Sequence, residues 1–492
     1  MKPYLRIRLL IVILSTFVAT ASIAAQSKIK RLDRSTIDAA EVDATVTRLM
    51  RAAEVTGASI TIINDQTIAY QKAYGVRDKE KNLPLTLDSV MTAASFSKVA
   101  FAYLVMQLVD EETIDLDKPV YQYLPKPLPE YPNYADLAND PRYQKITARM
   151  LLSHTSGFAN LRAYEPDRKL KIHFDPGSRY AYSGEGIELL QFVVETITGK
   201  SLTALMQRRV FEYSGMFRTS MVWQDAFLSD YANGYDEYGR SLGAQQRKTP
   251  DAAGSMLTTP RDFARFMLAV MDHRSLSART AAMMFTPQIQ IFSKHQFPTL
   301  EDARTDANKA IHLSYGLGWG LYSSPYGPAF FKEGHDEGWR NYTVCFPQTG
   351  SGIVIMTNSS NGEGIFKELL ETLLKDTFTP IEWEGYTPYN QLPARAPLKQ
   401  RHIVVVDPKL LDKYVGRYGD PPQLILTIRR EGDHLSIQEN DEPRQELVGL
   451  SETRFVSAVN DDECSFERDG NGRVIRLVLH VDGRDIPLKR ID

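Results

Sequence analysis

The chain has 492 residues, 43% of them hydrophobic and 24% charged, with a net charge of -3. That length exceeds what one core holds, so two or three packed units are expected, and the apolar content excludes a disordered or fibrous chain. Acids and bases are interspersed without a long basic run, which excludes the footprint of a nucleic-acid binder and leaves small molecules or cell-surface polymers as partners.

Lys2, Arg6 and Arg8 precede the apolar run Leu9 to Val18, and Ser22-Ile23-Ala24-Ala25 follows. This reads as a signal peptide over residues 1–25, leaving an exported protein, periplasmic or secreted, with no membrane span after processing. An uncleaved anchor is the alternative, for which the apolar run is short. An amphipathic helix is expected around Val42 to Val55, then two strands, Ala58 to Ile63 and Thr67 to Tyr74, joined by a hairpin turn at Asn64-Asp65-Gln66. Ser97 to Leu108 is apolar nearly all round and predicts a central, buried helix.

Helical and loop signals continue to about Leu321, with Ile187, Leu190, Val194 and Ile197 on one helix face and Thr259-Pro260 opening another helix. Strands return at Asn341 to Phe346 and Gly352 to Thr357, and Gly364 to Phe378 closes the unit as a helix. Early and late strands fit one antiparallel sheet flanked by helices, with a helical lobe inserted between them, an α+β fold. Residues 35–378 form this unit. The proline-rich stretch 379–408 reads as a linker, and 409–492 as a small all-β barrel or sandwich. Its expected strands are Leu424 to Ile428, His434 to Gln438, Arg454 to Val459, Cys464 to Arg468 and Val474 to His480.

Two cysteines, Cys345 and Cys464, fall in different units, so no disulfide framework is expected and both read as packing residues. The nine histidines show no metal-ligand spacing, and neither metal nor cofactor is expected. No Gly-x-Ser-x-Gly elbow, phosphate loop or dinucleotide fingerprint occurs.

Ser95-Phe96-Ser97-Lys98 stands just before the most apolar helix. Residues three apart share a helix face, so Lys98 can approach the Ser95 hydroxyl. A lysine half buried there loses proton affinity and, as a neutral amine, can take the serine proton. Around it stand Met91 to Lys98, then Ile114 to Val120, Tyr123-Leu124-Pro125 and Ile146 to Gly157, and then Phe174 to Gly184 with Thr198-Gly199-Lys200-Ser201 closing a helix. This succession resembles the β-lactamase-related serine hydrolases, which include class C β-lactamases, penicillin-binding proteins, D-amino-acid-specific peptidases and carboxylesterases. The resemblance covers roughly Val42 to Phe378.

The resemblance implies that Ser95 is the nucleophile and Lys98 its base. Tyr182, in the place of the family's catalytic tyrosine, is expected to shuttle a proton, its pKa lowered by nearby ammonium groups; Tyr180 is the competitor. Gly184 stands where the family has an asparagine that holds the substrate amide, which favours esters over lactams and peptides, with Ser183 or a neighbouring loop as replacement. Lys332-Glu333-Gly334 is aligned with the family's third motif: Lys332 to hold a substrate carboxylate and bias the tyrosine, Gly334 to let substrate lie against the strand. An alternative register uses His335. Backbone N–H groups of Ser95 and His335 would form the oxyanion hole.

The expected activity is two-step acyl transfer on an ester or amide, of esterase, D-peptidase or β-lactamase type. The substrate is a small molecule or peptide, cell-wall derived among the options. A penicillin- or peptidoglycan-binding sensor without turnover is the alternative. The terminal unit looks like the lipocalin-like appendages of some family members; covering the cleft, restricting substrate size and assembly are its candidate roles.

Overall fold

The expected first helix forms over Ala39–Ala53 (α1), because Asp38 and Glu41 make a reciprocal capping box and Val42, Val46, Leu49, Met50 and Ala53 fall on one buried face. The computed structural model describes residues 28–492 except 166, 393–401, 422–423, 441–443, 459–461 and 482–483. The expected signal segment therefore lies outside the described residues. Strands Gly57–Asn64 (β1) and Thr67–Asp78 (β2) pair as the predicted hairpin. Asp65 and Gln66 take φ of 48° and 56° in the left-handed region that a tight two-residue turn demands.

The apolar segment becomes Phe96–Asp110 (α2), where every residue from Phe96 to Leu108 is buried. Its position explains why no polar face is needed: it runs between the sheet and the inserted helices, at the centre of the largest apolar cluster. Among those helices are Gly184–Thr198 (α3), capped by Ser183 and ended by Gly199 at φ 63°, and Pro260–Met271 (α4), capped by Thr259.

Four more long strands, Gly320–Ser324 (β3), Gly327–Asp336 (β4), Trp339–Phe346 (β5) and Ser351–Thr357 (β6), meander and then join the opening hairpin. The main sheet is wholly antiparallel, in the order β3-β4-β5-β6-β1-β2, with short strands at both edges. Its other face carries a second apolar cluster, built by α1 and consecutive helical turns over 362–374.

The sequence predicts a linker from residue 379, and the structure differs at its beginning. Ile381, Trp383 and Tyr386 are buried in that second cluster, because their large apolar side chains pack against the sheet despite the prolines around them. Residues 393–401 lie outside the described residues.

Beyond them, eight antiparallel strands follow in chain order: Gly416–Asp420 (β7), Leu424–Glu431 (β8), His434–Glu439 (β9), Gln445–Gly449 (β10), Arg454–Ser457 (β11), Glu463–Arg468 (β12), Val474–Val481 (β13) and Arg484–Lys489 (β14). A bridge between Tyr418 and Arg490 brings the first strand to the last and nearly closes a barrel. Strands β7, β10 and β14 were not legible in the sequence, since each mixes glycine, proline or charge into a short run. Cys345 and Cys464 are free and buried. No helix among the described residues is long and apolar enough to cross a membrane.

Candidate active site

Ser95 stands at the mouth of α2, and its hydroxyl does not cap the helix, which leaves the oxygen available. Ala94 before it has φ 49°, a conformation strained for a residue with a Cβ, so the surroundings must hold the turn. They do so through main chain: Asn341 Nδ2 donates to Thr92 O at 3.0 Å, Ser97 Oγ donates to Ala94 O at 2.7 Å, and Met256 N–H donates to Ser97 Oγ at 2.9 Å. Gly334 belongs to this support. A Cβ there would lie 2.6 Å from Ala93 O, so only glycine lets β4 press against the serine turn. The expected role of Gly334, close approach of substrate, is replaced by close approach of backbone.

Lys98 Nζ donates to Ser95 Oγ at 3.1 Å and to Ala253 O at 2.7 Å. Burial, reinforced by the charge of Lys332, pulls its pKa down to about 8. The phenol of Tyr182 lies within hydrogen-bonding reach of Ser95 and accepts from Lys332 Nζ at 3.1 Å. Lys98 and Lys332 stand 5.0 and 4.8 Å from its ring centroid. These ammonium groups do not lower its pKa as the sequence reading expected: burial first, then Glu333, drive it well above the ordinary phenol value, because desolvation of a phenolate outweighs the attraction. Tyr180 is also buried, but its hydroxyl faces Gln296 rather than Ser95, and its ring packs on Tyr315 and Trp383.

Two expected substrate contacts are corrected. Lys332 is fully buried, with its ammonium spent on Tyr182 and the Glu333 carboxylate, so it cannot reach a substrate carboxylate. Ser183 is fully buried as the cap of α3; its Oγ donates to Ala159 O at 2.8 Å and accepts from Gly186 N–H at 3.0 Å. Both side chains turn inward because each satisfies a buried donor or acceptor that would otherwise be orphaned.

A cleft of about 1200 Å³ opens in front of Ser95. Ser95, Lys98, Tyr182, Gly184 and His335 line it, together with residues that carry no signal in the sequence. Asn160 is one. Its Oδ1 accepts from Gly184 N–H at 3.0 Å, which leaves its Nδ2 donor beside the position of the absent family asparagine, and Asn160 O is 3.0 Å from where a Gly184 Cβ would be. Glu384 is another, on the stretch expected to be a linker: its Oε2 accepts from Tyr342 OH at 2.7 Å, its Oε1 has no partner among the described residues, and burial beside Glu333 pushes its pKa well above the carboxylate range. His154, within the Ile146 to Gly157 stretch, packs its ring 4.4 Å from that of Tyr182 and accepts from Ser183 N–H through Nδ1. Burial and the two lysines hold its pKa well below the ordinary imidazole value, so it is a neutral support.

Residues 42–375 match the family model described as Beta-lactamase, and 401–490 match a domain of unknown function, DUF3471. The chain is 28% identical over 207 residues to a D-aminopeptidase of Brucella anthropi, spanning 41% of this chain and 39% of that enzyme. It is 26% identical over 346 residues to penicillin-binding protein 4 of Amycolatopsis lactamdurans, spanning 65% of this chain and 85% of that protein. The octameric penicillin-binding protein homologue from Pyrococcus abyssi shares the fold, with a TM-score of 0.55 at 20% identity over 92% of this chain and all of the other.

Proposed function

The chain belongs to the β-lactamase family, and on that premise we propose that it is an exported serine hydrolase that forms an acyl-enzyme on Ser95 and releases it to water. The observation that carries this reading is the Lys98 Nζ to Ser95 Oγ hydrogen bond of 3.1 Å, made by a lysine whose pKa is drawn down to about 8. The fraction of Lys98 that is neutral takes the hydroxyl proton as Ser95 Oγ attacks the carbonyl carbon. The oxyanion receives the N–H groups of Ser95 and His335, and the Ser95 N–H donates to no acceptor among the described residues. Tyr182 acts as a neutral phenol: it passes its proton to the leaving group and regains one from Lys98, while the Lys332 ammonium holds its oxygen. Water then attacks the acyl carbonyl, and the same groups run in reverse to free Ser95.

Substrates of ester and small-amide type fit best. Gly184 withdraws one amide-holding side chain, and Asn160 offers its Nδ2 from the neighbouring loop in compensation. Export rests on the residues 1–25 pattern; N-terminal sequencing of the protein recovered from the periplasm or medium tests it, and an unprocessed Met1 would refute it. Hydrolysis of a short-chain p-nitrophenyl ester and a chromogenic cephalosporin, wild type against Ser95→Ala, tests the chemistry. Serine-dependent turnover of either substrate supports it, and activity that survives Ser95→Ala overturns it. Labelling by a fluorescent penicillin without turnover would point to a sensor.

A further inference from the structure

The cleft is walled by two units of the chain. Arg417, Ile425, Thr427 and Asn440, all from the barrel, line it together with the serine turn. Strand alternation explains how. Tyr418, Leu426 and Ile428 are buried inside the barrel, so their neighbours Arg417, Ile425 and Thr427 point outward, and Arg417 pairs directly with Thr427 across β7 and β8. Asn440 Oδ1 accepts from Ile425 N–H at 2.9 Å and pins this face.

The charged groups of the lining are almost all engaged by a neighbour. Glu333 holds Lys332, Asp336 holds Arg247 at 3.1 Å, and Glu363 holds Arg340 at 2.6 Å. Glu384 is driven towards its neutral form, Asp251 Oδ1 accepts from Ala253 N–H at 2.7 Å, and Lys98 is engaged by Ser95 and Ala253 O. Arg417 differs. Its main chain is bonded to Asp492, but its guanidinium has no hydrogen-bond or ion-pair partner among the described residues. The strand lysine that the sequence assigned to a substrate carboxylate is sealed away, so the cation that faces the cleft unmatched comes from the barrel.

We propose that the outer face of β7 and β8 is a substrate-binding wall and that Arg417 anchors a carboxylate of the substrate remote from the scissile bond. The inference rests on the serine-hydrolase reading for its reaction and names a substrate class within it: esters or amides that carry an anionic end. A planar guanidinium suits this role, since it takes a carboxylate through two parallel N–H donors.

The test compares p-nitrophenyl hydrogen glutarate, which ends in a carboxylate, with p-nitrophenyl valerate, of the same length and neutral. Wild type prefers the glutarate ester in kcat/KM, and Arg417→Ala lowers the ratio of the two by about tenfold or more, chiefly through the KM of the glutarate ester. Arg417→Lys recovers part of it, and high salt narrows it. An unchanged ratio, or no preference in wild type, overturns the proposal. Binding to Ser95→Ala separates this from the chemistry: by calorimetry, glutaric acid monoanilide binds more tightly than valeranilide, and the difference disappears in Ser95→Ala with Arg417→Ala. Should neither ester be turned over, the hydrolase reading fails while the calorimetry still decides the anchor: equal binding of the two anilides overturns it.

Discussion

Two lysines flank Tyr182, and their surroundings differ in kind. Lys98 enters from α2, a helix buried on all sides, and donates only to neutral oxygens of Ser95 and Ala253. Lys332 enters from β4 and lies against the Glu333 carboxylate, with Glu384 beyond it. Burial lowers the pKa of both and carboxylates oppose it at both, but Asp251 and Glu333 act on Lys98 without touching it, whereas Glu333 is in direct contact with Lys332. One site thus uses two kinds of buried lysine: one with no carboxylate in contact, readier to lose its proton, and one in contact with a carboxylate that favours its charged form as it holds the phenol oxygen.

Lys98→Met is expected to lower kcat/KM by about 10³ to 10⁴-fold in ester hydrolysis, as for loss of a general base. The same change should raise stability by about 1 to 3 kcal/mol in denaturant titration at neutral pH, because it removes a buried ammonium that has only neutral oxygens in contact. Lys332→Met should do the opposite to stability and cost about 3 kcal/mol, since it leaves the Glu333 carboxylate buried and unpaired. If both lysine variants shift stability with the same sign, the contrast is wrong.

The pH profile sharpens it further. The neutral form of Lys98 is the active one, so kcat/KM should rise with pH through about 8. The Lys332 charge depresses the Lys98 pKa, so Lys332→Gln should move this rise to higher pH, and the residual activity of that variant reports the shift. Asp251 acts in the other direction: Asp251→Asn removes a negative charge that favours protonated Lys98 and should move the rise to lower pH, by a smaller step. A midpoint that stays in place in both variants would mean that another group is being titrated.

Much of the architecture follows from local signals. The capping residues of α1, the turn at Asp65 and Gln66, and the Thr259-Pro260 start of α4 each act within a few residues, and the elements appear where those signals stand. The approach of Lys98 to Ser95 is local too, because one helical turn fixes it. Three of the barrel strands carry no clear signal in the sequence, as their pairing is decided by neighbours along the sheet rather than by their own composition.

Other features depend on which surfaces close over which. Adjacent residues of a strand point to opposite faces, so nothing in Lys332-Glu333-Gly334 announces that its lysine and glutamate meet under Tyr182. The direction of the Tyr182 shift turns on how completely water is excluded, which only the packed structure determines. Glu384 and Arg417 reach the cleft from stretches read as linker and appendage. Sequence alone determined the fold class, the helix that carries Ser95 and the reach of Lys98, because backbone geometry within one turn sets them. Tertiary structure alone decided which charges are matched, which are sealed from solvent and which wall closes the cleft, because burial and pairing between distant segments exist only once the chain has closed on itself.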